Sequence, residues 1–360
     1  MELLSNWSNW IEARHANASL LSSNLTGANA TLTTDGSNPI AAWWMLLIFV
    51  LMTAVTVFGN LAIVTLFLAD KKVRTPFNYI LLNIAIGDAL IGTVDMPYYA
   101  ASYFYWGFWP FSDQQCSFWM FIDYLMPTIT LASITALSLD RLWALMAPIA
   151  YRCCNTTRKA SVTIFVIWLY STLGMLPGYA YTRLYLADQR ADKTCLWEVA
   201  GLPNWASPSY PLIINLCAPF AITLLCYVGI VLRLLQLRSS RAAVNPETHR
   251  QTSKRNRREQ QAFAVLTLLV VTLSVSYMPW VVYTVRLVVL KYEDSLTFYN
   301  VSYWMGFILS AASPFMALVG SQDLRTAMRR LCHGRSGNLE NPSGNRVSVL
   351  RKATAPIPTT

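Results

Sequence analysis

Long apolar runs separated by short polar segments dominate this chain. A bilayer span needs roughly 20 mainly apolar residues, because inside ~30 Å of hydrocarbon only a helix can satisfy its own backbone groups. Seven segments meet that requirement, at about 43 to 68, 77 to 101, 117 to 146, 161 to 180, 209 to 236, 260 to 289 and 299 to 319. Residues 1 to 40 are polar and rich in Asn, Ser and Thr, and residues 333 to 360 are rich in Ser, Asn, Pro and Arg, so both tails are predicted to stay disordered. Between residues 322 and 332, Leu324, Ala327, Met328 and Leu331 alternate with Arg325, Arg329 and Arg330, the pattern of a helix lying in the membrane surface. The predicted fold is an all-α membrane protein: a seven-transmembrane helix bundle over residues 41 to 321, then a short interfacial eighth helix.

Charge placement orients the bundle. Lys71, Lys72 and Arg74 follow the first span, Arg152, Arg158 and Lys159 the third, and Arg250, Lys254, Arg255, Arg257 and Arg258 the fifth, whereas the first 40 residues hold only Arg14. Positive loops stay in the cytoplasm, so the expected location is the plasma membrane with the N-terminus extracellular. The net charge of +10 is thereby explained by topology and anionic inner-leaflet lipid rather than by nucleic acid. No cleavable leader pattern opens the chain, and the first span is expected to serve as the signal. Asn6, Asn17, Asn24 and Asn29 stand in glycosylation sequons of the outer tail. Of seven cysteines, only Cys116 and Cys195 fall on the outer, oxidising side at membrane-surface depth, and they are the expected disulfide. Cys332, beside the basic amphipathic segment, is the palmitoylation candidate.

Charges within spans are costly and therefore functional suspects. Asp88, Asp123 and Arg141 qualify. Asp123 and Arg141 are 18 residues apart on the third span, about five turns and ~27 Å, so they share a face near opposite membrane surfaces. A carboxylate buried at the depth of Asp123 needs a cation to offset it. Arg286, near the outer end of the sixth span, or a water cavity would satisfy that need within the protein; a cationic ligand would satisfy it from outside. Tyr124, Tyr277, Trp280, Tyr303, Trp304 and Phe307 lie at similar depth, and ring faces attract ammonium groups. Pro177, Pro219, Pro279 and Pro314 permit kinks about which helices pivot. His15, His249 and His333 all lie outside the spans, and no nucleophile, metal or phosphate-loop constellation appears, so neither an enzyme nor a cofactor is expected. Broken or inverted repeats, which an ion or solute transporter would carry, are not visible.

Along all seven spans the chain resembles rhodopsin-like (class A) G protein-coupled receptors. The likeness is carried by Gly59-Asn60, LNIAIGDAL around Asp88, Cys116, Asp140-Arg141-Leu142, Trp168, Pro219 with Tyr227, and Pro279. Asp123, DRLWAL and Trp304 are similar to the aminergic branch, most of all to histamine and muscarinic acetylcholine receptors, through ADKKVRTPFNYILLNIAIGDALIG, IDYL and YRCCNTTRKA.

This resemblance implies a receptor that binds a small cationic biogenic amine, histamine-like or acetylcholine-like, and activates a heterotrimeric G protein, with arrestin, a receptor kinase and membrane lipid as further partners. Asp123 would pair with the ammonium, Asn215 would meet the far end as a histamine-like second contact, and Val281 stands where muscarinic receptors place an asparagine. Arg141 of the Asp140-Arg141 pair would be held by Glu259 at rest, with Tyr227, Pro279 and Pro314 as switch elements. Asp88 and Thr130 would contribute to a sodium site, although Leu309 and Ser313 replace asparagines common there. Ser276-Tyr277-Met278-Pro279 and Ser313-Pro314-Phe315-Met316-Ala317 also depart from the family pattern. These departures motivate a competing expectation, an amine-insensitive orphan receptor with constitutive activity or a non-amine ligand.

Overall fold

The computed structural model describes residues 39–104, 109–185, 195, 213–241, 267–283, 285–286 and 296–334. Six helices among them are long and apolar enough to cross a membrane: Trp44–Ala69, Pro76–Tyr103, Asp113–Met146, Thr157–Tyr181, Asn215–Leu237 and Phe298–Gly320. A shorter apolar helix, Thr267–Tyr283, lies between the last two in sequence. In chain order these are the first to seventh spans, and Thr267–Tyr283 is the described part of the sixth.

The polarity of the bundle is reversed relative to a water-soluble helical protein. Phe58, Phe165 and Leu225 are 72%, 67% and 72% exposed, whereas Thr56, Asn60, Asp88 and Ser133 are buried at 0% or 1%. Apolar surface outside and satisfied polar groups inside is the arrangement a lipid solvent favours. Polar side chains tie neighbouring spans together. Asn60 Nδ2 donates to the Ser310 carbonyl at 3.0 Å, Asn83 Nδ2 to Ser133 Oγ at 2.9 Å, and Trp168 Nε1 to Asn83 Oδ1 at 2.9 Å. Thr135 and Thr223 share a hydroxyl contact of 2.9 Å between the third and fifth spans.

Local sequence explains where the helices start and bend. The third span begins with a capping box, in which Ser112 and Gln115 satisfy each other's backbone donors. It then runs 34 residues, ~51 Å at ~1.5 Å per residue, more than enough to cross a ~30 Å core. It packs against the second, fourth and fifth spans, which makes it the central strut. The second span starts at Pro76 behind the Thr75 cap and is interrupted by a π-helical turn at Ile91–Asp95 before Met96–Phe104. The seventh span carries Pro314, and a Cβ at Gly59 of the first span would lie 2.6 Å from Pro314 Cγ. Glycine there lets the two helices close at the proline.

Cys116 and Cys195 are disulfide-bonded, with Cα atoms 5.6 Å apart, pinning the Cys116 end of the third span. At the other end of the bundle, Gln322–Gly334 forms a helix that buries Leu324 and Ala327 and leaves Met328 and Leu331 exposed. Arg325 donates to the Leu318 and Val319 carbonyls at the end of the seventh span, and Arg330 pairs with Asp70 at 2.9 Å. The Lys72 backbone N–H, assisted by Arg330, holds the Asp70 carboxyl below its usual range.

Candidate functional site

Asp123 faces a cluster of rings near the Cys116 end. Its Oδ1 accepts from the Tyr303 hydroxyl of the seventh span. The Tyr303 ring stacks on Tyr99 of the second span, with centroids 4.0 Å apart and planes within 4°. Trp280 meets Tyr303 edge-on at 5.5 Å, and Phe307 does so at 5.5 Å. Trp304 packs on Phe49 at 5.0 Å and on Tyr103 at 5.5 Å. The structure thus brings Asp123, Trp280, Tyr303, Trp304 and Phe307 into one neighbourhood. Such an arrangement offers a desolvated anion with ring faces around it, a field suited to a cation.

The remaining residues singled out from sequence divide between two apolar clusters. Tyr124, about 100° around the third span from Asp123, packs on the same upper cluster as Tyr303 and Trp304. Tyr277 and Val281 belong to the deeper one, with Leu216, Phe220, Leu273 and Leu309. Asn215 is fully buried in a π-turn, Ile213–Cys217, and its amide lies where a Cβ at Gly174 of the fourth span would be, 2.7 Å from Nδ2. Among the described residues neither Asn215 amide atom has a hydrogen-bond partner.

A second polar knot surrounds Asp88. Its Oδ1 accepts from Thr130 at 3.2 Å and from Ser310 at 2.9 Å, and its Oδ2 from Ser313 at 2.5 Å. The serine that replaces an asparagine of the family pattern therefore points its hydroxyl at the carboxyl group. A cavity beside this knot is lined in part by Asn60, Leu269, Ser313 and Ala317. The small side chain of Ala317 contributes to that space.

Towards the opposite end, Asp140 collects three partners: Arg141 at 3.6 Å, Lys159 at 3.3 Å and the Tyr151 hydroxyl at 2.9 Å. The Arg141 guanidinium lies over the Phe77 ring, 4.1 Å from its centre. Burial pushes the Tyr151 phenol up from its usual range. Tyr227 reaches Thr267 of the sixth span at 3.5 Å, and Pro279 and Pro314 lie within the sixth and seventh spans. Glu259 and the sequon asparagines Asn6, Asn17, Asn24 and Asn29 lie outside the described residues, as does the side chain of Cys332.

Sequence reasoning overlooked Asp95, Trp119, Tyr99 and Ser310. Asp95 is 1% exposed, accepts from Trp119 Nε1 at 3.0 Å, and lies beside the Asp123 carboxyl group. Asp95 therefore joins Asp88 as a second carboxyl group within the second span. The signal was present: Asp95 follows Asp88 by seven residues, two helical turns. Arg286 forms no ion pair with Asp123 among the described residues; the hydrogen bond to that carboxyl group comes from Tyr303.

Residues 59–316 match the family model described as 7 transmembrane receptor (rhodopsin family). The chain is 33% identical over 140 residues to muscarinic acetylcholine receptor DM1 of Drosophila melanogaster, which covers 39% of this chain and 17% of that receptor. It is 28% identical over 167 residues to muscarinic acetylcholine receptor M3 of Gallus gallus, covering 45% and 26% respectively. With the alpha-2 adrenergic receptor of Carassius auratus it shares 26% over 197 residues, covering 53% and 44%. The matched part spans less than half the length of each of these relatives.

Proposed function

Because the chain belongs to the rhodopsin family of seven-transmembrane receptors, we propose that it binds a small cationic biogenic amine from outside the cell and activates a heterotrimeric G protein. The observation that carries this reading is Asp123: a carboxyl group set among aromatic rings, with no ion-pair partner among the described residues. The ammonium group supplies the missing charge, and Tyr303, Trp280 and Trp304 present rings to it. The muscarinic and adrenergic names of the relatives are in keeping with such a ligand.

The far end of the ligand has a candidate contact in Asn215, whose amide is buried without a partner among the described residues. An unsatisfied buried amide is costly, so a polar group reaching it would be rewarded. Val281, packed on the deeper cluster, offers only apolar contact. Ligand binding at Asp123 favours a rearrangement around Pro219, Pro279 and Pro314 that frees Arg141 and opens the basic end of the bundle to the G protein. In the structure Arg141 is held by Asp140 and Phe77, and the proposed restraint at rest adds Glu259, which lies outside the described residues. The basic loops face the cytoplasm, where arrestin and a receptor kinase are the further partners, and the N-terminal tail is extracellular and glycosylated.

The test is a panel of biogenic amines and acetylcholine on the wild type and on Asp123→Asn at matched surface expression, with basal signalling recorded. Loss of a buried charge pair is worth about 3 kcal/mol, so the variant should bind the active amine about 100-fold more weakly. Unchanged affinity would remove Asp123 from the ligand contact. The second reading, a constitutive or non-amine receptor, is favoured by the serine collar on Asp88 and the cavity beside Ala317, both at switch positions. It expects high basal signalling and no response to any amine.

A further inference from the structure

Two carboxyl groups from different spans meet at this site, and their meeting needs a physical explanation. Trp119, one turn before Asp123, donates to Asp95, and Tyr99, one turn after Asp95, stacks on the Tyr303 that donates to Asp123, so the two carboxyl groups stand side by side. Two carboxylates cannot hydrogen bond, since each only accepts; such neighbours can bond only when one of them holds a proton. Neither has an ion-pair partner among the described residues, and two unpaired anions in contact within a bundle would carry both desolvation and repulsion.

The surrounding donors allow the proton to be assigned. Trp119, one turn before Asp123 on the third span, can only donate, and its Nε1 reaches Asp95 Oδ1 at 3.0 Å. With a proton on Asp95, its carboxyl group can accept from Trp119 and donate to Asp123 at once. Asp123 would then accept twice, from Asp95 and from the Tyr303 hydroxyl. Placing the charge on Asp95 instead would put it on the more deeply buried group, since Asp95 is 1% exposed and Asp123 only half-buried. The π-turn Ile91–Asp95 offsets the register of the second span at this point and presents Asp95 to the third. Tyr99, one turn further on, stacks against Tyr303, so the same helix braces both donors to Asp123.

Resting on the reading of Asp123 as the ligand carboxylate, we propose that Asp95 is a positioning residue that remains neutral and proton-bearing. It donates to Asp123, fixes its rotamer, and leaves the pocket a single negative charge matched to a monocation. An asparagine at position 95 reproduces both functions: its carbonyl accepts from Trp119 and its amide donates to Asp123. A leucine reproduces neither.

The experiment uses the full-length receptor in membranes as wild type, Asp95→Asn and Asp95→Leu. Infrared difference spectra of wild type against Asp95→Asn, without ligand, should show a protonated-carboxyl carbonyl band lost in the variant. Acetylcholine, whose one positive charge does not depend on pH, is the binding probe. Asp95→Asn should keep its affinity within about threefold, and Asp95→Leu should weaken it by about tenfold or more. Absence of the infrared band, or an equal loss of affinity in both variants, would overturn the proposal. If acetylcholine fails to bind the wild type, that ligand is excluded for the receptor, and the infrared band alone decides the state of Asp95.

Discussion

Tyr303 carries a hydroxyl to Asp123 that Phe307, one turn further along the same helix, lacks. One phenol therefore orients the carboxyl group from the seventh span while its ring stacks on Tyr99. Tyr303→Phe keeps the ring and deletes the donor. Hydrogen bonds to charged groups are worth about 1.5 to 3 kcal/mol, so a ligand held by Asp123 should lose affinity by roughly ten- to 100-fold. Competition binding on the variant measures this, and an unchanged constant would mean that the phenol does not support the liganded state. Asp88 illustrates the same economy of donors, with Thr130, Ser310 and Ser313 each contributing one hydroxyl. A carboxyl group within a span is tolerated where donors of this kind meet it.

Among the elements, the first and seventh spans meet where glycine faces proline. A valine at Gly59 would push its Cβ to 2.6 Å from Pro314 Cγ, far inside van der Waals contact, and one helix must shift. Overpacking of this kind costs about 1 to 3 kcal/mol. Gly59→Val is therefore expected to lower the melting temperature of the detergent-solubilised protein and to loosen the Asn60 bond to the Ser310 carbonyl, which crosses the same seam. An unshifted melting curve would mean that the helices separate there without penalty. The last helix is docked by different means. Its two buried apolar residues, the Arg325 cap on the seventh span and the Arg330 pair with Asp70 hold it against the bundle end, while its exposed Met328 and Leu331 suit a lipid interface.

Across the whole molecule, the third span is the strut on which the rest is hung, and its Cys116 end is latched to Cys195. The latch closes a sequence separation of 79 residues, worth ~4.5 kcal/mol of loop entropy in a free chain. A bilayer keeps unpacked spans aligned, so the expected loss in Cys116→Ser is smaller, about 2 kcal/mol. Thermal melts with and without reductant on wild type and variant check it: reductant should lower the wild-type transition and leave the variant unmoved. Equal melting of all four samples would show that the third span is held by packing alone.

Sequence by itself determined the class of fold, because membrane solvation acts on runs of about 20 residues and is indifferent to how the helices later pack. It also singled out Asp123, since a charge in an apolar run is conspicuous wherever its side chain turns. Asp95 was equally conspicuous and still escaped notice, because nothing local distinguishes a carboxyl group facing a partner from one near the end of a span. Its place beside Asp123 depends on a π-turn that alters helical register and on the packing of the second span against the third. The choice of Tyr303 rather than Phe307 as the donor, and of Ser310 beside Ser313 on Asp88, likewise depends on how the seventh span is rotated about its axis. Periodicity reports which residues share a face. Only tertiary structure brings faces from spans more than 180 residues apart to one point, and there the electrostatics of the site is decided.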